Sequence, residues 1–379
     1  MTLIRYRLGD LIEQVNTRNK DVDNKYTVSD VRGISNQKEF IETKAKMNGV
    51  SLDNYKLVKP REFVYMTVTS RNGDKLSVAY NNTNQTYIVS SSYIAFKIKT
   101  DNKIIEDYLF MIFNRVEFDR LSRINSWGSA RETLSWEDFC DIKIDLPHLD
   151  IQKKYIAIYK AMLENQAAYE KDLEDLKLAC DGSMDKLKEN YKLTRINNVL
   201  KIVDIRNKNL DIKEISGLNI EKRFIKSNSN VNGNGLKNYK IVKPDELVFS
   251  GMQTGRDKCI RIALNTTNNN LIVSPAYNVF SINENIINPK YLMLWFSRDE
   301  VDRYGWFISD SSIRSNLDLD RFYEIEIPIP PIDVQNSIAN IYKVYTQRKE
   351  INEKLKERLK NICPILIKGA VEEAKRKEA

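Results

Sequence analysis

Few residues in this chain combine the types and spacing that catalysis requires. The one histidine, His148, stands beside Pro147 in a loop-like setting, which excludes general-base or metal chemistry built on imidazole. Cys140, Cys180, Cys259 and Cys363 lie far apart with no C-x-x-C spacing, so reduced, buried thiols are expected and no metal site. Asp141-Ile142-Lys143 could be forced into a nuclease set, but Asp-x-Lys is too common to count. Asn288-Pro289-Lys290-Tyr291 lacks the second proline that an amino-group methyltransferase element needs, and it reads as a helix start. The 13 glycines form no G-x-x-x-x-G-K-[ST] phosphate loop. No cofactor is implied. What remains is polar and basic, and it comes in pairs. Arg18-Asn19-Lys20 is matched by Arg206-Asn207-Lys208, and Arg131 by Arg314. The stretches Thr67–Lys75 (TVTSRNGDK) and Ser250–Lys258 (SGMQTGRDK) follow matching strand-like runs yet differ in sequence.

The elements that must carry these residues are duplicated too. Ile142–Tyr159 reads IKIDLPHLDIQKKYIAIY and Ile325–Tyr342 reads IEIPIPPIDVQNSIANIY, at a constant offset of 183. Each copy is an alternating strand-like run, then proline, then a helix start with Gln152 or Gln335 in its first turn. Asp150 and Asp333 stand where an N-cap carboxylate would satisfy orphan N–H groups. Earlier anchors keep the same order: Tyr55–Pro60 (YKLVKP) meets Tyr239–Pro244 (YKIVKP), and Ile88-Val89-Ser90 meets Ile272-Val273-Ser274. Within each repeat, β-branched and aromatic runs such as Glu62–Thr69, Lys75–Tyr80, Tyr87–Ser90 and Tyr93–Lys97 alternate with Asn, Gly and Thr clusters, which predicts hairpins. Helices are predicted over Ile105–Ile124 and Pro289–Tyr304.

After the prolines, apolar residues at 3–4 spacing predict two long helices, each expected to be interrupted or kinked, at Gly182 and at Pro364. The fold class is therefore α+β: two domains of mixed, hairpin-rich type, joined by two long helices. An antiparallel coiled-coil pair with pseudo-twofold symmetry between the domains is the natural arrangement. Boundaries are placed at 1–146, 147–190, 191–329 and 330–379. At 379 residues, 42% hydrophobic and 30% charged, the composition is that of a globular protein. No apolar run approaches the roughly 20 residues of a membrane helix. Met1–Arg7 has no signal-like apolar stretch, so no membrane and a cytoplasmic location are expected. The net charge of +8 is concentrated in residues 334–379, where 11 basic side chains face 6 acidic ones. A nucleic-acid surface in the domains must then arise from clustering of basic residues.

With these features in view, the chain resembles the DNA-specificity subunit of type I restriction–modification systems along nearly its whole length. The likeness rests on Gly128–Tyr159 (GSARETLSWEDFCDIKIDLPHLDIQKKYIAIY), on its counterpart Ser311–Tyr342, and on the order of domain and helix. It implies a non-catalytic subunit in which each target recognition domain reads half of a bipartite double-stranded DNA site. It further implies that the helices fix the spacer and dock two methyltransferase (M) subunits, and that restriction (R) subunits join that core. A duplicated coiled-coil structural adaptor without DNA readout is the competing class.

In this setting the recurring Arg18, Asn19, Lys20 and Arg206, Asn207, Lys208 suggest phosphate contacts, or else solvated turns with a structural asparagine. Arg71, Gln253 and Arg256, in the divergent loops, suit base reading, since arginine can bind guanine and glutamine adenine in two-pronged fashion. A polar hairpin tip is the plainer account. Arg131 and Arg314 stand for phosphate or base contacts, or for capping arginines. For Trp127 and Trp306 a core role is expected, with stacking at DNA as the alternative.

Overall fold

In each repeat the strand that opens the domain pairs with the one that closes it. Ile4–Arg7 runs antiparallel to Lys143–Leu146, with Tyr6 opposite Ile144, and Leu193–Arg195 pairs in the same sense with Glu326–Pro328. The alternating Ile144/Leu146 and Ile325/Ile327 side chains are buried, which is what commits these runs to a strand register. The computed structural model describes residues 3–43, 45–68, 75–99, 103–128, 132–227, 233–252, 254–310 and 316–377. It divides into two units, Met1–Ala167 with Glu353–Ala379, and Ala168–Asn352.

Both units contain a four-stranded antiparallel sheet of the same order. In the first it runs Ile12–Val15, Tyr93–Ile98, Phe63–Met66, Val78–Tyr80; in the second, Leu200–Val203, Asn278–Ile282, Leu247–Ser250, Arg261–Leu264. The expected hairpin runs thus form strands: Glu62–Thr69 and Lys75–Tyr80 shorten to Phe63–Met66 and Val78–Tyr80, Tyr93–Lys97 extends to Ile98, and Tyr87–Val89 pairs separately with Lys56–Val58. The second unit adds a sheet ordered Phe224–Lys226, Ile215–Leu218, Leu271–Val273, Lys240–Val242, whose middle pair is parallel. In the first unit the corresponding parallel contact shrinks to one bridge, Val31 to Ile88.

Each predicted domain helix is two helices. Glu106–Phe113 is followed by Val116–Ile124, and Pro289–Phe296 by Asp299–Phe307. The first helix of the first pair sets Phe113 edge-on to Phe63 of the sheet at 5.9 Å between ring centroids, and the short helices Trp136–Asp141 and Leu319–Tyr323 add aromatic stacks on the sheets. Tyr65 stacks on Phe139 at 4.6 Å between ring centroids, and Phe249 on Phe322 at 3.8 Å. A buried lysine ties each pair to a hairpin turn. Lys38 donates to the Phe113 carbonyl and to Asp119 at 2.7 Å, and Lys222 to the Phe296 carbonyl and to Asp302 at 2.6 Å.

The long helices dock through their glutamines. Gln152 is fully buried; its Nε2 donates to the carbonyls of Lys103 and Pro147, both at 2.9 Å, and its Oε1 accepts from the Ile105 N–H at 3.1 Å. Gln335 repeats this with Ile286 at 2.9 Å, Pro330 at 2.8 Å and the Asn288 N–H at 2.8 Å. All donors and acceptors of both carboxamides that face the protein are thereby used, so the helix leaves each domain in a fixed direction.

Of three expectations for the helices, the interruption at Pro364 is met and two need correction. Helix Leu149–Asn190 runs unbroken for 42 residues, through Gly182. One interior glycine costs only about 1 kcal/mol, and buried Cys180, Met184 and Leu187 hold the surrounding turns. The C-terminal helix does break, but ahead of the proline: Ile332–Lys360 ends, Asn361 leaves helical geometry, and Ile362–Arg376 begins. A proline ring clashes with the carbonyl four residues back, which for Pro364 is Lys360. Asp150 and Asp333 occupy the second helical positions and not the caps, since the helices open at Leu149 and Ile332. There they still favour the positive end of the helix dipole.

Within each unit the helices pair antiparallel. In the first, Lys154 bonds Glu373 at 2.7 Å while Tyr159 meets Cys363, so positions rise on one helix as they fall on the other. In the second, Asp172 bonds Arg348 at 2.7 Å, while Cys180 and Tyr342 line one small cavity. Among the described residues, no helix is long and apolar enough to cross a membrane. Cys180, Cys259 and Cys363 are free and buried, and Cys140 is free and half-buried.

Candidate nucleic-acid interface

The two variable loops of each repeat spring from one point. In the first unit the Leu134 N–H donates to the Thr67 carbonyl at 2.8 Å, Val68 bridges Thr133, and Trp127 and Thr133 exchange backbone bonds at 3.0 and 2.9 Å. The stretch that begins at Thr67 and the stretch between Gly128 and Thr133 are therefore stitched together at their bases. Arg71 and Arg131 lie outside the described residues.

The second unit repeats the stitch. The Leu317 N–H donates to the Gly251 carbonyl at 2.9 Å, joining the loop after strand Leu247–Ser250 to the segment before Leu319–Tyr323. Glycine is required here, because a Cβ on residue 251 would collide with the Leu317 carbonyl oxygen. Gln253 and Arg314 lie outside the described residues. Arg256 is described. It sits on the short helical turn Thr254–Asp257 with its side chain 67% exposed, and Asp257 approaches it at 3.4 Å while also holding Arg261.

The tryptophans correct the core expectation. Trp127 is 67% exposed and Trp306 46% exposed. Trp127 follows the helix Val116–Ile124, which buries Phe118, Asp119 and Ser122, and Trp306 lies near the end of Asp299–Phe307, which buries Val301 and Gly305, so neither indole falls on the inward face. Lys258 Nζ lies 4.7 Å from the centroid of the Trp306 ring. An exposed indole beside an ammonium can take a stacked base and an adjacent phosphate. Lys258 was not singled out by sequence reasoning; its place in the loop SGMQTGRDK was the available signal.

The Arg-Asn-Lys turns lie elsewhere in each unit, against the strands Lys56–Val58 and Lys240–Val242. Asn19 and Asn207 are buried, and their carboxamides are spent on backbone. Asn19 bonds Tyr26 through its carbonyl at 2.9 Å and its N–H at 3.1 Å; Asn207 does the same to Ile212 at 2.8 and 3.3 Å. Arg18, Lys20 and Lys208 are exposed, while Arg206 is half-buried, donating to Asp204 at 2.7 Å and to the Asn238 carbonyl at 2.6 Å. That contact holds the Asp204 carboxyl below its ordinary range. The structure thus brings the variable loops together with the following segment and keeps the Arg-Asn-Lys turns apart from them.

A family model, type I restriction modification DNA specificity domain, matches residues 5–177 and again 188–361. The chain belongs to this family. Two copies of the DNA specificity domain account for the duplication, and each match runs from the domain into its long helix. The HindI type I restriction enzyme specificity subunit of Haemophilus influenzae is 23% identical over 132 residues, 34% of this chain and 28% of that protein. The chain therefore spans under a third of that relative in the matched region. Among solved structures, the S subunit of a type I restriction–modification system from M. genitalium superposes with a TM-score of 0.60 at 11% identity, covering 98% of this chain and 96% of that one, which shows the shared fold. The HsdS subunit from Thermoanaerobacter tengcongensis gives a TM-score of 0.40 at 13% identity over 97% and 96% of the two chains.

Proposed function

We propose that this specificity subunit reads a bipartite double-stranded DNA site, one half by each domain, and performs no catalysis itself. The observation that carries the reading is the repeated stitch, Thr67 to Leu134 and Gly251 to Leu317. A rigid junction recurs in both domains, and the residues it presents differ between them. That is what two readers of different half-sites need: a common frame and unlike tips.

In this reading Arg71, Gln253 and Arg256 contact base edges, and Arg131 and Arg314 contact base or phosphate beside them. Arg18, Lys20, Arg206 and Lys208 contact phosphates, with Asn19 and Asn207 fixing the turns that present them. The domain boundaries near 146, 190 and 329 mark where readers give way to spacer helices. These helices set the distance between the half-sites and dock two methyltransferase subunits, with restriction subunits joining the complex in the cytoplasm.

The test is retention of duplex DNA by the chain bound to its methyltransferase subunit. A bipartite site should be retained over scrambled DNA, with affinity falling steeply as salt rises. Replacing Thr67–Lys75 should alter one half-site only. Altered reading of both halves, or methyl transfer by this chain alone, would contradict the proposal.

A further inference from the structure

The loop Ser250–Lys258 is tied at its far end as well as at its base. The Ile260 N–H donates to Asp302 Oδ1 at 2.9 Å, and the Cys259 thiol donates to the Ile220 carbonyl at 3.2 Å. Asp302 belongs to the helix Asp299–Phe307, and Ile220 to the hairpin turn that carries Lys222. Lys222 Nζ donates to the same Asp302 oxygen at 2.6 Å. Loop exit, helix and hairpin therefore meet on one carboxylate, whose side chain is 17% exposed. The first unit repeats the junction at offset 183. Asp119 Oδ1 accepts from the Leu76 N–H at 3.1 Å, where the loop Thr67–Lys75 returns, and from Lys38 Nζ at 2.7 Å.

The second unit shows what hangs on this junction. Asp302 and Trp306 are one helical turn apart and share a face. Their partners, Ile260 and Lys258, are two residues apart at the end of the loop. Gly305 packs against Ile260 so closely that a Cβ there would collide with it. The Asp302 bond thus sets the register in which Lys258 reaches the Trp306 ring. Lys258 itself has a φ of 52°, a left-handed conformation that a lysine keeps only where its surroundings fix it. Lys38 and Lys222 are held the same way, at 66° and 61°. In both repeats the backbone is strained at the residue that brings an ammonium to the carboxylate. A bond from an N–H to an ionised carboxylate is also stronger than one between neutral groups, which suits a loop that must not shift.

We propose that Asp302 and Asp119 are positioning residues for DNA reading. By holding the Ile260 and Leu76 N–H groups, each fixes the return end of one variable loop and sets the selectivity of that half-site without touching DNA. Lys222 and Lys38 aim the two carboxylates. The proposal rests on the reading of the loops given above.

Competition binding by the chain with its methyltransferase subunit, on duplexes altered in either half of the site, tests it. Two double variants remove the buried charges together. Lys222→Met with Asp302→Asn leaves the Ile260 N–H an acceptor; Lys222→Met with Asp302→Leu does not. Both should fold with a cooperative thermal transition. The asparagine variant should keep the wild-type preference at each half-site. The leucine variant should lose roughly tenfold of it at one half-site and none at the other. Preference kept by the leucine variant, lost equally in both variants, or lost at both half-sites would overturn the proposal. If the leucine variant does not fold, Lys38→Met with Asp119→Leu puts the same question to the other half-site, with the same outcomes deciding. Failure of both to fold would also overturn it, because the carboxylates would then serve the fold and not the loops. A wild-type chain that selects no bipartite site would overturn the underlying reading, and the proposal with it.

Discussion

In the first repeat Lys38, Asn81, Gln152 and Glu62 are buried and committed to backbone or to Asp119; in the second, Lys222, Asn265, Gln335 and Glu246 make the same bonds at the same places. Asn81 spans the Val58 and Gln85 carbonyls and Asn265 the Val242 and Asn269 carbonyls, at distances that agree within about 0.2 Å. Where side chains reach solvent the repeats part company. Trp127 stands past its helix with no counterpart at Asp310, while Trp306 has Lys258 above its ring. Buried polar groups cannot drift singly, because an orphaned donor or charge costs more than the bond it made. Exposed loop residues carry no such penalty, so the duplicated frame stays fixed while its tips are free to diverge.

That contrast can be broken experimentally, beginning with the frame. Lys38→Met should destabilise the first unit by roughly 3–5 kcal/mol by leaving Asp119 unpaired in the interior, and Lys222→Met should cost the second a similar amount. Urea unfolding reads both, and a large inequality would deny that the two staples are equivalent. Adding Asp119→Leu to Lys38→Met should recover much of the loss. Gln152→Ala should cost roughly 2–3 kcal/mol, because it frees the Ile105 N–H and two carbonyls at once. Hydrogen exchange should then rise at Lys103–Ile105 and leave 286–288 unchanged.

The tips should behave in the opposite way. Arg256→Ala should leave the melting temperature unchanged and weaken DNA binding by roughly 1–3 kcal/mol, with selectivity lost in one half-site. Competition binding with duplexes altered in either half reads this. The smallest effect concerns the long helix. Gly182→Ala should stabilise the chain by about 1 kcal/mol, because an added Cβ meets nothing within 4 Å. A loss of stability would mean that the glycine is needed for a bend.

Much of this frame was legible in the residues alone. The repeat at Ile142–Tyr159 and Ile325–Tyr342 announces strand, proline stop and helix, because alternation, fixed φ and 3.6-residue periodicity each leave their own pattern. The latches were not legible. Gln152 and Gln335 could be placed in the first turn, but their bonds reach residues 47 to 49 positions away, and no local pattern encodes that. Lys38 and Lys222 were silent for the same reason, since a lysine in a turn reads as solvated. Gly182 misled because helix propensity is weak beside a buried seam, and the tryptophans misled because a large aromatic is usually interior. Asn19 and Asn207 recur because the turn needs them, which separates them from the exposed Arg18, Lys20 and Lys208 beside them.

The central claim is that each domain reads its own half of the target. Selection of randomised duplexes by the complete complex, before and after replacing Thr67–Lys75 with an unrelated loop, tests it most directly. The account predicts two conserved blocks separated by a fixed spacer, of which one changes and the other, with the spacer, stays as it was. A single block, or two blocks that change together, would contradict it.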